Sequence, residues 1–245
     1  MASHADAIAL HARGPHILAA ETEGAAAFAR AIGLRLEIVD FDPLAVPEVA
    51  TTSRLRCYGC KKALVAALRQ RLRELGEEDR TLCDGSNADD LATWRPGLRA
   101  LEEGHVLSPL AAAGLAKAEI RRLALAEGMP MPAHGPRPCL LTRYAYGLAP
   151  DREELARLAD VEARLLALAG ENGEKPDFRV RLTPAPVLQV AGADDAWLEE
   201  AGAILAGGGF APFRVLACEH VSGFYDAAPG GGPGSGKAAG KREGD

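Results

Sequence analysis

Apolar positions along the first half of the chain switch between two spacings. Residues 6–12 (DAIALHA) and 35–39 (RLEIV) are short apolar runs of strand length. Between them, ETEGAAAFARAIG is Ala-rich and ends at Gly33, which reads as a helix with a glycine stop. From Lys61 onward, Leu64, Ala67, Leu68, Leu72 and Leu75 recur at helical spacing until Gly76. RTLCDG at 80–85 then reads as a strand running into a turn, and AKAEIRRLALAEG as a helix stopped by Gly128. Strand, helix, strand, helix, strand, helix predicts an α/β fold on an open parallel sheet.

The texture changes after a proline-rich connector (Pro130, Pro132, Pro136, Pro138). A long helix is expected over 151–169, strands at DFRVRL and PVLQVA, a helix over 195–206 and a strand at FRVLACE. This is the pattern of a small α+β unit, and we place the boundary between the two domains near residue 148. Residues 149–225 then form the second domain, and the Gly-, Pro- and Ala-rich segment 226–245 is expected to be a disordered tail. That tail contains GGPGSGK, which resembles a phosphate loop. Ala238 stands where the magnesium-binding Ser/Thr would be, and no strand or helix flanks it, so it reads as linker.

Charge and cysteine usage narrow the function classes. With 28 basic and 34 acidic residues the formal net charge is −6, which argues against non-specific nucleic-acid binding. No apolar run is long enough to span a membrane, and the N-terminal residues lack the pattern of a secretory signal. Five cysteines, an odd number, argue against a disulfide framework and for metal or catalytic use of thiols in a cytoplasmic protein.

Several residues carry candidate chemistry. Cys57 and Cys60, in RCYGCK just ahead of a helix, have a spacing that suits one metal ion, an iron–sulfur cluster, a redox dithiol or two small buried side chains. Cys139, fixed by Pro138 between Arg137 and Arg143, is placed as a nucleophile or ligand; Cys83 and Cys218 read as core residues. CDGSNADD at 83–90 passes from a strand to a helix. Asn87 and Asp90 can form a capping box there, or Gly85, Asn87 and Asp90 can line a nucleotide pocket. Glu162 falls on the apolar stripe of its helix, so it is either paired in a buried ion pair or functional with a raised pKa. Arg179 and Arg181 alternate on one strand and share a face, suited to a phosphate or dicarboxylate or else solvated.

The ordered set RCYGCK, DGSNADD, WRPG, VLSPLAAAGLAKAEIRRLA, PCLLTRYAYG and FRVR resembles the LarE family of ATP-dependent sulfur transferases, in the PP-loop pyrophosphatase superfamily. The resemblance implies an adenine nucleotide alpha-hydrolase-like, Rossmann-like domain and use of ATP with Mg2+. It implies adenylation of a carboxylate and insertion of sulfur. The substrate it implies is a small-molecule nucleotide, pyridinium-3,5-biscarboxylic acid mononucleotide, on the route to the nickel-pincer cofactor of lactate racemase. Homo-oligomers are implied as well. Cys139 matches the family's sulfur-donating cysteine. In one branch of the family that cysteine is consumed; in another it joins a Cys-x-x-Cys pair to hold a [4Fe-4S] cluster, for which Cys57, Cys60 and Cys139 are all present. Glu162, Arg143, Arg179 and Arg181 match positions of catalysis and substrate handling. Two departures are expected. The chain opens at the family's second strand, without the first strand and the Ser-Gly-Gly-x-Asp-Ser loop, and Gln189 stands near a position usually held by a carboxylate. Two rival readings remain: a catalytically degenerate binding or scaffold protein, and a zinc protein in which His134 joins the three cysteines.

Overall fold

A computed structural model describes residues 6–91, 96–129, 137–170, 173, 175–183, 185–221 and 224–225. The expected tail with its phosphate-loop look-alike, the first three prolines of the connector, His134 and Trp94 lie outside these residues. The chain is a mixed α/β protein that divides into two compact units, Met1–Pro136 and Arg137–Asp245. Among the described residues, no helix is long and apolar enough to cross a membrane.

In the first unit, strand β1 (Ile8–Arg13), helix α1 (Ala19–Ala31) and strand β2 (Arg35–Asp40) form one parallel crossover, in register from Ile8 opposite Arg35 to Arg13 opposite Asp40. The expected glycine stop of α1 is present. Gly33 adopts φ +70°, its amide donates to the Arg30 carbonyl, and the Leu34 amide donates to the Ala29 carbonyl, so two of the last turn's carbonyls are satisfied. A 3-10 turn (Pro43–Ala45) and helix α2 (Pro47–Ala50) lead into α3 (Arg56–Glu74). Short helices α4 (Ala88–Leu91), α5 (Pro96–Glu103) and α6 (Pro109–Ala112) follow, then α7 (Lys117–Ala126). Val65 of α3, Leu101 of α5 and Val106 form a small core with Leu82 and Leu98 against it. Gly104 lets α3 and α5 approach, because a Cβ there would lie 2.8 Å from a Val65 methyl.

The strand expected at 80–85 shrinks to one parallel bridge, Cys83 with Leu107. The chain turns away at Asp84, whose carboxylate accepts from the Ser86 amide two residues on and so competes with continued extension. Cys83 is therefore exposed rather than a core residue.

In the second unit, helix α8 (Arg152–Ala167), strands β3 (Asp177–Arg181) and β4 (Val187–Ala191), helix α9 (Asp195–Gly207) and strand β5 (Arg214–Ala217) form an α+β layer. The sheet order is β3-β4-β5, antiparallel and then parallel. Asp151 and Asp194 cap the two helices by accepting from the Glu154 and Trp197 amides, both at 2.8 Å. Alternate residues of β3 go to opposite faces: Phe178 and Val180 join the buried set with Leu188, Val190, Leu155, Leu158 and Trp197. Arg179, Arg181 and Gln189 occupy the other face and are also buried, so the solvated alternative for the arginine pair does not hold.

Candidate functional site

Cys139 sits at the head of a 3-10 turn (Leu140–Arg143) in the second unit. The turn forms because the Thr142 amide and hydroxyl both donate to the Cys139 carbonyl, at 3.0 and 2.9 Å. It ends in Arg143, which is 1% exposed and packs against Glu162 of α8, which is 0% exposed. The two meet as a bidentate fork: Arg143 Nε donates to Glu162 Oε1 at 2.6 Å and Nη2 to Oε2 at 2.7 Å. Glu162 Oε1 also accepts from the Val180 amide at 3.1 Å. The apolar-stripe glutamate is thus half of a buried ion pair, the first of the two alternatives the sequence left open.

Arg181 has a different environment. Its Nε donates to Gln189 Oε1 at 2.9 Å, Nη1 to the Thr142 carbonyl at 3.0 Å, and Nη2 to the Val221 carbonyl. Its guanidinium lies over the Phe224 ring (5.1 Å) and the Tyr225 ring (5.6 Å). None of these partners carries formal charge. Burial, with nearby Arg143, pushes the Arg181 pKa down to about 10. Arg179 reaches Asp177 at 2.6 Å and the Phe178 carbonyl. This face therefore holds Arg179 and Arg181 with one exposed carboxylate, Asp177, paired to Arg179, while Arg143 is paired with the buried Glu162 of α8. Such an excess of positive charge suits a phosphate or carboxylate. Tyr225 closes the arrangement, its hydroxyl bonded to the carbonyls of Arg143 (2.8 Å) and Leu182 (3.1 Å). The sequence did not point to Thr142, Tyr225 or Val221; Gln189 it flagged only as a departure. The contacts of Thr142 and Val221 with Arg181 and of Tyr225 with Arg143 bridge 39 to 82 residues, beyond any local pattern.

In the first unit, α3 begins at Arg56, so Cys57 and Cys60 lie inside its first turns rather than ahead of it. At a spacing of three they share one helix face, Cys57 exposed and Cys60 half-buried. Gly59 between them is required by packing: a Cβ would come within 2.5 Å of the Glu48 carboxylate and 3.0 Å of Glu48 Cβ. Asp84 is a feature the sequence did not single out. Its carboxylate accepts from Ser108 Oγ (2.6 Å), Ser86 Oγ (2.6 Å) and the Ser86 amide (3.1 Å). Burial pushes its pKa up, but the two hydroxyls, the amide and the Lys61 charge together hold it below the ordinary carboxylate value. Asn87 and Asp90 form the expected capping box on α4. Asn87 Oδ1 accepts from the Asp89 amide and Asp90 Oδ2 from the Asn87 amide, each at 3.0 Å. Gly85 stands between Asp84 and Ser86 on the exposed side of that turn.

Cys57 and Cys60 belong to the first unit and Cys139 to the second. Among the described residues no group of three or more His, Cys, Asp or Glu side chains is gathered as a metal site.

No protein-family model matches the chain. Over 188 residues, 75% of its length, it is 33% identical to the uncharacterized protein slr1717 of Synechocystis sp., covering 69% of that protein. Over 178 residues, 72% of its length, it is 29% identical to the uncharacterized protein MJ0830 of Methanocaldococcus jannaschii, covering 64% of that protein. On identity and coverage together, the chain belongs to the family of slr1717.

Proposed function

We propose that this protein is a LarE-like, ATP-dependent sulfur transferase of the cytoplasm, with an adenine nucleotide alpha-hydrolase-like first unit and Cys139 as the sulfur-bearing residue. The observation that carries the reading is the pairing, within the second unit, of a cysteine on a fixed turn with a buried face holding more guanidinium than carboxylate. A carboxylated nucleotide offers a group for each: phosphate for the arginine face, and an acyl carbon for the thiol. In the reaction, a substrate carboxylate attacks the ATP α-phosphorus and displaces pyrophosphate, giving an acyl adenylate. The Cys139 thiolate attacks the acyl carbon and AMP departs. Loss of the Cys139 Cα proton then breaks the Cβ–S bond, leaving a thiocarboxylate and dehydroalanine with no change of net oxidation state.

By the family resemblance alone, Cys57, Cys60 and Cys139 are the candidate thiolates for the [4Fe-4S] cluster of the alternative branch. The thiol donors suit iron, and the two on α3 share a face. When bound, such a cluster supplies sulfide from an external source and spares the cysteine. Pyridinium-3,5-biscarboxylic acid mononucleotide is the substrate of choice, and a homo-oligomer the expected assembly.

The test is anaerobic incubation with ATP, Mg2+ and that substrate, followed by mass spectrometry of the product and of the Cys139 peptide. With a segment carrying the Ser-Gly-Gly-x-Asp-Ser loop supplied, exchange of one oxygen for sulfur is expected in the wild type and none in Cys139→Ala. Sulfur transfer that survives the substitution would overturn the assignment of Cys139. Iron that co-purifies with the wild type and is lost in Cys139→Ala separates the cluster branch from the consumed-cysteine branch.

A further inference from the structure

Glu162 has little left to offer a substrate. It is fully buried, and its two oxygens already accept three hydrogen bonds, two from Arg143 and one from the Val180 amide. Arg143 is likewise committed. Beyond the fork to Glu162, its Nη1 donates to the Pro138 carbonyl at 3.3 Å and to Thr142 Oγ1 at 2.8 Å. Thr142 passes this on: its hydroxyl and amide both donate to the Cys139 carbonyl. The carbonyls on either side of Cys139, those of Pro138 and of Cys139 itself, are therefore both held by groups that Arg143 organises. From the far side, Arg181 Nη1 pins the Thr142 carbonyl.

We propose that Glu162, Arg143 and Thr142 are positioning residues for Cys139, a chain running from α8 to the two peptide planes that aim its side chain, and that Glu162 is not the acid or base of the reaction. Glu162 orients the guanidinium fork, the fork's remaining nitrogen fixes the Pro138 carbonyl and the Thr142 hydroxyl, and the hydroxyl fixes the Cys139 carbonyl. A carboxylate is needed at the far end because a bidentate partner locks the guanidinium plane, and the direction of Nη1 follows from that plane. The use of Cys139 in this inference rests on the sulfur-transfer reading, but the presentation of its thiol can be measured with no substrate present.

The test is alkylation of the full chain by iodoacetamide, followed at each cysteine by peptide mass spectrometry. Cys218 serves as internal reference. It is half-buried in the same unit, its thiol donating to the Val190 carbonyl at 3.5 Å, and makes none of these contacts. Glu162→Gln should raise the Cys139 rate about ten-fold, and Thr142→Val several-fold, with Cys218 unchanged in both, as expected for loss of one charge-assisted or one neutral hydrogen bond. Thr142→Val keeps the ion pair, so it carries the test alone if Glu162→Gln fails to fold. Cys139 rates within about two-fold of the wild type in Thr142→Val would overturn the proposal, because the hydroxyl bond would then be worth well under its usual energy. A parallel rise at Cys218 would overturn it too, as that marks general loosening of the unit. Loss of sulfur transfer with no change in Cys139 alkylation would return Glu162 to the chemistry itself.

Discussion

Replacing His16 should remove a defined part of the acid sensitivity of the first unit. His16 follows β1, is 5% exposed, and stacks edge-on to Phe41 with ring centroids 5.9 Å apart. Its Nδ1 has no hydrogen-bond partner among the described residues. Burial therefore favours the neutral ring and, against a small opposing pull from Asp42, pushes its pKa from 6.5 down to about 4. The sign follows from proton counting. Below 6.5 the unfolded chain takes up a proton that the folded protein refuses until about 4, so stability is complete above 6.5 and is lost as pH falls between the two values. The full loss amounts to about 3 kcal/mol, of which about 2 kcal/mol is gone by about pH 5. Guanidinium denaturation of the wild type and His16→Leu, at about pH 7.5 and about pH 5, isolates the effect, since other titrating groups are common to both. The wild type should lose about 2 kcal/mol more than the variant over that interval. In a parallel NMR titration the His16 ring should stay neutral to near pH 4. Equal losses in the two proteins would refute the reasoning.

Two further substitutions probe the packing. Gly14→Ala places a Cβ 2.0 Å from the Phe41 carbonyl oxygen, a backbone atom that cannot rotate away, and should cost about 3 kcal/mol or more, read as a fall in Tm. A wild-type Tm in that variant would mean the two loops are not in contact. Trp197→Phe should change stability by only about 1 kcal/mol, because the lost volume is offset by removing an indole N–H with no partner among the described residues. A denaturation midpoint showing a loss above about 3 kcal/mol would reveal a bonded indole.

The elements were legible because their causes are local. Apolar runs at 6–12 and 35–39 become β1 and β2, the stripe from Leu64 to Leu72 lies in α3 with Leu75 as its C-cap, and Gly33 follows α1 in the left-handed conformation that glycine adopts without strain. The capping box at Asn87 and Asp90 was readable for the same reason, since its donors and acceptors lie within three residues. The order of strands and helices in the second unit could also be read along the chain, although α8 ends two residues short of the expected 169.

What the sequence alone determined, then, is the first strand–helix–strand crossover, the long helices and the strands of the second unit. With them came the shared face of Arg179 and Arg181, and the alternatives open to a carboxylate on an apolar stripe at Glu162. The strand expected at 80–85, by contrast, proved to be one bridge. The sequence did not determine which partner Glu162 takes, because Arg143 lies 19 residues away and is chosen only when the turn after Cys139 packs on α8. Nor did it show that both strand arginines are buried. That depends on Thr142, Gln189 and Val221 arriving from separate segments with carbonyl oxygens that replace water around Arg181. Desolvation is a property of the assembled environment and has no local signature, so the tertiary structure alone decided which charged groups are exposed and which are locked in place.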